Sequence, residues 1–388
     1  MDDKQKGGEL IGKGSYGYVF KPGFKCNNQS RLNKNNVSKI FFSEESLKEV
    51  NNELLVDSKI RNIKDYENWC HIWTDHCKGP DYEILYKKDK DIESCLLNGH
   101  ISKQDFNKYS RILQGTYAGI NLTDYINKHL NPTSPVNALY KSFLNIMKLM
   151  RPLFLGLSEL YKHKIIHCDI KSDNIMVNRD GCKYIDFGLS SHIIDNNHFK
   201  KRSMSEFATD RIYPSYPYEY IYLFCDHSMI KEELDDIQYD IFRELHDRYN
   251  NIHVDVFKRK KIKDYLISLI NRFIRDKQII KNEKNKIISL LDTYSLGILI
   301  PDILCKIFKN NKIKLDKVLN KPGVKSFIEL FYVMSEPDHY ERINPNEAYR
   351  RYVELETLYL KHKSNKKTVK RQKRRDRGRG RGKDRRQR

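Results

Sequence analysis

Residues 165–177 read IIHCDIKSDNIMV and set Asp169, Lys171 and Asn174 at fixed offsets between two apolar runs. Ile165 and Ile166 on one side, and Ile175, Met176 and Val177 on the other, predict two short buried strands. The polar turn between them is then presented by a rigid frame. Taken alone, the stretch also fits a polar hairpin that merely keeps two strands soluble.

The rest of the chain bears on that choice. Residues 183–189, KYIDFGL, follow one short strand later and place Asp186 seventeen residues after Asp169. Asp-x-Gly is common in turns, so the weight lies in the pair at this spacing. Upstream, residues 11–19, IGKGSYGYV, put Gly12, Gly14 and Gly17 in the order G-x-G-x-x-G. A dinucleotide-binding fold needs a helix directly after such glycines, yet Tyr18, Val19 and Phe20 are β-prone and Pro22-Gly23 ends the run. The glycines are therefore predicted to join two strands, where backbone N–H groups can approach phosphates that a Cβ would keep away. Residues 37–42, VSKIFF, carry Lys39 inside a strand of non-ionic residues. A snorkelling edge-strand lysine is the plain alternative. Ser43, followed by Glu44, Glu45 and Ser46, is predicted to cap a helix with Leu47, Val50, Leu54 and Ile60 near helical spacing, and Glu53 lies on it.

In this order the stretches resemble the eukaryotic-type protein kinase family, of serine/threonine type, over roughly residues 8–360. The resemblance implies an α+β fold with two lobes, a small β-rich lobe carrying one helix and a large, mostly helical lobe. It implies that Asp169 accepts the proton of the attacking hydroxyl, that Lys171 sits against the transferred phosphate, and that Asn174 and Asp186 hold magnesium. Ile11, Gly12, Lys13, Gly14, Ser15, Tyr16, Gly17, Tyr18 and Val19 would form the flap over the ATP phosphates. Lys39 would take the α- and β-phosphates, paired with Glu53, with Glu49 as the less well placed rival. Residues 115–122, GTYAGINL, resemble the hinge that grips adenine. Pro217 and Glu219 match the close of the activation segment. Asp292 to Gly297 matches the start of the central buried helix with Tyr294 in place of Trp, and Arg342 stands where the family pairs an arginine with that glutamate. Lysine two residues after the catalytic aspartate favours serine/threonine over tyrosine substrates.

Departures from the family pattern carry information too. Cys168 replaces the arginine that normally receives the activation-loop phosphate, so activation is expected to proceed without phosphate on Ser203, Ser205 or Thr209. Residues 208–216, ATDRIYPSY, lack the usual Gly-Thr spacing, which leaves peptide preference open. About seventy residues separate Glu219 from Asp292, longer than the pattern, and a helical insertion is expected near residues 225–285. The run CHIWTDHC at residues 70–77 offers four zinc-type ligands, but no second pair stands at a suitable spacing, so buried thiols and aromatic packing are the expectation.

The chain of 388 residues suits a small lobe over 8–112, a large lobe over 113–360 and a tail over 361–388. The tail holds sixteen Lys or Arg and two Asp, so it carries +14 of the formal +21, and it has no apolar residue after Val369. It is expected to be disordered, with nucleic acid, contacted without sequence preference, as the first partner to name ahead of nuclear targeting or an acidic membrane surface, and a solvated tail with no specific partner is the plain alternative. The opening MDDKQKGGEL lacks the apolar segment of a secretory signal. With a mean hydropathy of −0.72 and no bilayer-length apolar run expected, the protein is placed inside the cell, in cytoplasm or nucleus, with its eight cysteines reduced. The Asn-, Lys-, Ile- and Tyr-rich composition resembles that of proteins encoded by AT-rich genomes, giant DNA viruses among them. The expected reaction is ATP- and Mg2+-dependent transfer of the γ-phosphate to Ser/Thr hydroxyls of protein substrates. The alternatives are a pseudokinase scaffold with a nucleic-acid-binding tail, which predicts a lost Lys, Asp or Asn, and a small-molecule phosphotransferase of similar fold. Oligomeric state is left open.

Overall fold

The computed structural model describes residues 9–13, 17–24, 26, 34–79, 81–83, 101–208, 215–217, 219, 220, 223, 224, 268, 271, 272 and 277–361. They divide into two compact units, one of residues up to 122 together with 162–198, the other of 123–161 and 199 onward. The lobe limit expected at residue 112 falls inside a strand, β5 (Arg111–Thr116).

The first unit is built on a five-stranded sheet. β1 (Glu9–Lys13), β2 (Gly17–Lys21) and β3 (Asn36–Phe41) are followed by β4 (Asp75–Lys78) and β5, and the order across the sheet is β1-β2-β3-β5-β4, every pair antiparallel. The glycine-bearing stretch does join two paired strands, with Gly12 opposite Val19. Alternation along β3 sorts its side chains to two faces. Ile40 and Phe42 enter an apolar cluster with Tyr18, Phe20, Phe24, Tyr82, Phe106 and Ile112. Phe41 faces the other way, packing with Leu113 and with Val50 of helix α1 (Glu44–Ile60). Lys39 shares that parity and so projects toward α1.

Helix α1 starts as its sequence predicts. The Ser43 hydroxyl accepts from the Ser46 amide at 3.1 Å and the Ser43 amide donates to the Ser46 hydroxyl at 2.9 Å, a reciprocal cap with Glu44 and Glu45 in the first turn. Its buried face is not purely apolar. Glu49, Glu53 and Asp57, each four residues apart, are buried beside Val50, Val56 and Ile60.

The same unit contains β6 (Ile120–Asn121), β7 (Ile165–Ile166), β8 (Ile175–Val177), β9 (Cys182–Tyr184) and β10 (Ser191–His192). β7 and β8 do not pair with each other: β7 pairs with β10, and β8 lies between β6 and β9. The polar turn is thus slung between two different sheets, and the simple hairpin is excluded.

The second unit is helical. Among the described residues it holds α3 (Leu122–His129) from residue 123, α4 (Val136–Leu149), α5 (Arg151–Lys162) up to residue 161, α6 (Asn196–Ala208) from residue 199, α7 (Lys277–Ser289), α8 (Leu291–Ile307), α9 (Lys312–Leu319), α10 (Val324–Met334) and α11 (Pro345–Leu355), while α2 (Lys103–Tyr109) belongs to the first unit. Helix α8 is the central one, with every residue from Leu291 to Pro301 buried. Among the described residues one helical segment, Asn282–Ile307, is long and apolar enough to cross a bilayer, but 89% of its most apolar 18-residue stretch is buried inside the protein, as in a core helix. Glu219 and Arg342 meet at 2.7 Å with almost no exposure, and the guanidinium lies 4.9 Å from the Tyr294 ring centre, so the tyrosine fills the tryptophan position by packing under that arginine. The tail beyond Lys361 and most of the expected 225–285 insertion lie outside the described residues.

The cysteine expectation requires correction. Cys26 and Cys77 form a disulfide with their Cα atoms 5.6 Å apart. They stand 51 residues apart, and only the sheet order, which no spacing rule reveals, brings β4 against the apolar cluster that holds Cys26. Cys77 is therefore unavailable to a zinc site, whereas Cys70, Cys168, Cys182 and Cys305 are buried and unbridged. Closing a loop of that length restricts the unfolded chain by about 4 kcal/mol. A Cys77→Ser variant should lose about that much stability in urea denaturation. Dithiothreitol should reproduce the loss in the parent protein and add nothing to the variant.

Candidate active site

The parity of β3 and the buried face of α1 converge on the Lys39 ammonium. Its Nζ lies 2.9 Å from Asp186 Oδ1, 3.5 Å from Glu49 Oε1 and 3.9 Å from Glu53 Oε2. The structure thus brings both glutamates to Lys39, and Glu49, the rival on sequence grounds, is the nearer. Glu53 Oε1 is instead held by the Trp73 indole N–H at 2.7 Å, while the Trp73 amide donates to Asp57 at 3.2 Å.

One ammonium cannot neutralise three carboxylates in a buried site. Burial pushes Glu49 up to about 7 against the pull of Lys39, and Glu53 up to about 8. Asp57 is likewise raised by burial to about 7. Burial would also raise Asp186, but the contact with Lys39 outweighs it and holds the carboxyl below its ordinary range. The ammonium, opposed by burial, is held above its own range by Asp186, Glu53 and Glu49. Lys39 and Asp186 are therefore the charged pair, and the glutamates hold the surplus.

The polar turn supplies the second half of the site. Asp169 is buried at 7% exposure, and its Oδ2 receives Lys171 Nζ at 2.9 Å and Asn174 Nδ2 at 2.7 Å. Asn174 Nδ2 also donates to the Asp169 carbonyl at 3.0 Å, which fixes the amide plane and turns its oxygen the other way. A 3-10 turn over Ser172–Asn174 delivers these side chains directly before β8. His167 is a site residue that the sequence motifs alone do not single out. Fully buried between the rings of Tyr184 and Phe187, it accepts from the Asp169 amide at Nδ1 (3.3 Å) and so donates from Nε2 to the Ile185 carbonyl (3.1 Å). It ties the aspartate's backbone to the strand that leads to Asp186.

The flap residues are placed in part. Ile11, Gly12 and Lys13 end β1, and Gly17, Tyr18 and Val19 open β2; Gly14, Ser15 and Tyr16 lie outside the described residues. At Gly17 the need for glycine is a packing one, since a Cβ there would stand 2.5 Å from the Ile40 carbonyl oxygen. The hinge-like segment runs from β5 into β6, where the Tyr117 amide donates to the Asn35 carbonyl at 2.7 Å.

The segment after Asp186 departs from a phosphate-gated design. Cys168 is a buried thiol in a left-handed conformation (φ 64°), its Sγ 3.6 Å from the Ile166 carbonyl, so a thiol and not a cation stands where the family places its arginine. Ser203, one of the hydroxyls that could have accepted a phosphate, is fully buried in α6 and bonded to the Tyr220 carbonyl at 3.2 Å. Arg202 is engaged by the Tyr216 hydroxyl at 3.0 Å, and Thr209 lies outside the described residues.

Comparison with known proteins agrees with this arrangement. The sequence model of the protein kinase domain matches residues 6–215, more than half of the chain, and the chain belongs to that family. Human Myosin-IIIa is 26% identical over 199 residues, half of this chain and 10% of that protein. MAP kinase kinase kinase mkh1 of Schizosaccharomyces pombe is 45% identical over 51 residues, 12% of this chain and 5% of that one. A probable cyclin-dependent kinase 9 of Caenorhabditis elegans is 40% identical over 50 residues, 13% of this chain and 10% of that one. The chain thus spans about a tenth or less of the length of the curated relatives it matches. Phosphotransfer by a protein kinase is the activity the family carries.

The Trp73 contact gives a test of the charge balance. The proton that burial keeps on Glu53 makes that group's contribution to stability full below about pH 4.5, and the contribution is lost as pH rises through about 8. The indole N–H favours the ionised form, so removing it should matter most where that form is populated. Trp73→Phe should cost about 1–3 kcal/mol at pH 9 and measurably less at pH 6 by urea denaturation. A loss equal at both pH values would assign the whole effect to packing.

Proposed function

We propose that the protein transfers the γ-phosphate of ATP, with Mg2+, to serine or threonine hydroxyls of protein substrates. The observation that carries this reading is the 2.9 Å pairing of Lys39 with Asp186 in the same unit that orients Asp169 through Lys171 and Asn174. A scaffold without catalysis would be expected to lack one of these groups, and each is present in bonding geometry.

The donor set fits a hard divalent cation. Carboxyl oxygens of Glu49, Glu53 and Asp186 lie within 4.8 Å of one another, and Glu49 Oε2 and Glu53 Oε2 are buried without a hydrogen-bond partner among the described residues, a set of hard oxygen donors that suits such an ion. Asp186 and the Asn174 amide oxygen are the groups that would hold it. Held there, the ion would supply positive charge against the negative charge that develops on transfer. Lys39 would draw the α- and β-phosphates, with Glu49 and Glu53 keeping its ammonium in place. Asp169 would orient the attacking hydroxyl and take its proton, and Lys171, 2.9 Å from that carboxylate, is placed to move onto the phosphate. The lysine at this offset supports serine and threonine over tyrosine as acceptors. Because Cys168 offers no cation, the activity is expected to be independent of phosphate on residues 186–219.

Asp169→Asn should lower kcat by at least a thousandfold with ATP affinity nearly kept, whereas Asp186→Asn should lose both, assayed with labelled ATP and a mixture of protein and nucleoside acceptors. Full activity in either variant would sink the mechanism, and label appearing only in nucleosides would turn the reading to a small-molecule phosphotransferase. Phosphatase-treated enzyme should keep its rate.

The +14 tail supports a second, separate reading, non-specific contact with nucleic acid. Deleting residues 361–388 should flatten the dependence of log K on log salt by about 0.7–0.9 for each phosphate the tail had neutralised, while phosphorylation of a neutral peptide stays unchanged.

A further inference from the structure

Helix α1 presents one more polar group toward the segment after Asp186, and nothing in the mechanism above uses it. Asn52 is half-buried, between Glu49 and Glu53 in the sequence, and its single Nδ2 directs its two hydrogens at two backbone carbonyls, Gly188 at 2.8 Å and Ser190 at 2.7 Å. We infer that Asn52 is a positioning residue that fastens residues 188–190 to α1 and so keeps Asp186 beside Lys39 without an activation-loop phosphate. The inference rests on the kinase reading of Asp186 and names the regulation of that same site.

Three features of the surroundings support a built clamp. First, α1 approaches the segment so closely that a Cβ on Gly188 would stand 2.5 Å from Glu49 Cγ and 2.8 Å from its Oε1. Only glycine leaves room for that approach. Second, Asp186 holds a left-handed backbone conformation (φ 64°) that a residue with a Cβ adopts at a cost, so its neighbours must restrain it. Third, the carbonyls of 188–190 are all claimed by side-chain donors, because His198 Nε2 meets the Leu189 carbonyl at 2.9 Å. The Ser190 end of the segment is also tied to Asp169 through His167. The Ser190 hydroxyl donates to the His167 carbonyl at 3.0 Å, and His167 Nδ1 accepts from the Asp169 amide. A continuous path of hydrogen bonds runs from α1 through Asn52 and Ser190 to Asp169, all within one unit.

This arrangement does with a neutral carboxamide what a phosphate and an arginine would do by charge. Cys168 removes the phosphate receptor, and the clamp is present without one. An equilibrium between fastened and released segment sets the fraction of molecules in which Lys39 and Asp186 meet, so loss of the clamp should appear in kcat and leave peptide KM alone.

The test is Asn52→Ala and Asn52→Asp in the full chain, with Leu55→Ala, exposed at 55% on the same helix, as control. Asn52→Ala should lower kcat about tenfold, as expected for the removal of two hydrogen bonds, with peptide KM within about twofold. Asn52→Asp, which turns a carboxylate toward two carbonyl oxygens, should lower it further. Hydrogen exchange should quicken at amides 187–191 and stay unchanged in β2 and β3. A normal kcat, or unchanged exchange at 187–191, overturns the inference, and so does faster exchange spread through the whole sheet, which marks a merely structural residue. If the parent protein phosphorylates no acceptor, the kinase reading fails by itself, and the exchange pattern alone still decides whether Asn52 holds the segment.

Discussion

The buried ammonium of Lys39 is the constraint on which the first unit is arranged. A lysine loses most of its hydration at 6% exposure, and it stays charged there only because carboxylates surround it. The sheet register, the pitch of α1 and the left-handed turn at Asp186 all serve that one requirement. β3 parity sends the side chain toward the helix; the four-residue spacing of Glu49 and Glu53 puts both carboxylates on its near face; and Asp186 closes the site at 2.9 Å. The apolar packing of Phe41, Val50 and Leu113 beside it limits water and makes the charge pairing matter.

Much of this was legible in the sequence, for local reasons. The strand through Val19, the strand around Lys39, the Ser43 cap and the polar turn at Asp169 follow from alternation, capping chemistry and turn residues acting over a few positions. The missing parts depend on distant segments. The pairing of β7 with β10 and of β8 with β9 is set by residues after the motif, so the stretch alone left a hairpin open as the plain alternative. The Cys26–Cys77 bridge needed the sheet order. Glu49 joins Lys39 because a helix gives two solutions one turn apart, and sequence spacing ranked them where geometry uses both. A weak signal for Asn52 did exist: a polar residue next to Glu53 and three past Glu49 on a helix whose neighbours are buried.

The two halves of the candidate site are oriented by different physics. At Lys39 the contacts are ionic and can be redistributed, because the partners outnumber the cation. At Asp169 the orientation is by hydrogen-bond direction: Asn174 spends both amide hydrogens on one residue's carbonyl and carboxylate, and His167 has its tautomer fixed by a donor on one side and an acceptor on the other. Such directional contacts keep a carboxylate in place while leaving its charge intact, which suits a proton acceptor. Redistributable charge suits a group that must receive phosphates.

The second buried ion pair shows why the imbalance is informative. Glu219 and Arg342 are as buried as Lys39 and its partners, but they meet one to one at 2.7 Å, and the guanidinium is further held by the carbonyls of Glu336 and Pro337 and by the Tyr294 ring. Nothing in that pair calls for another ion, and its function is complete when the fold is formed. Around Lys39, three carboxyl groups face one ammonium, and burial raises two of them, Glu49 and Glu53, toward their protonated forms. Ionising both glutamates there costs stability, and positive charge entering with a ligand would offset that cost. Burial alone does not separate a structural ion pair from a functional one here; the count of charges at each does.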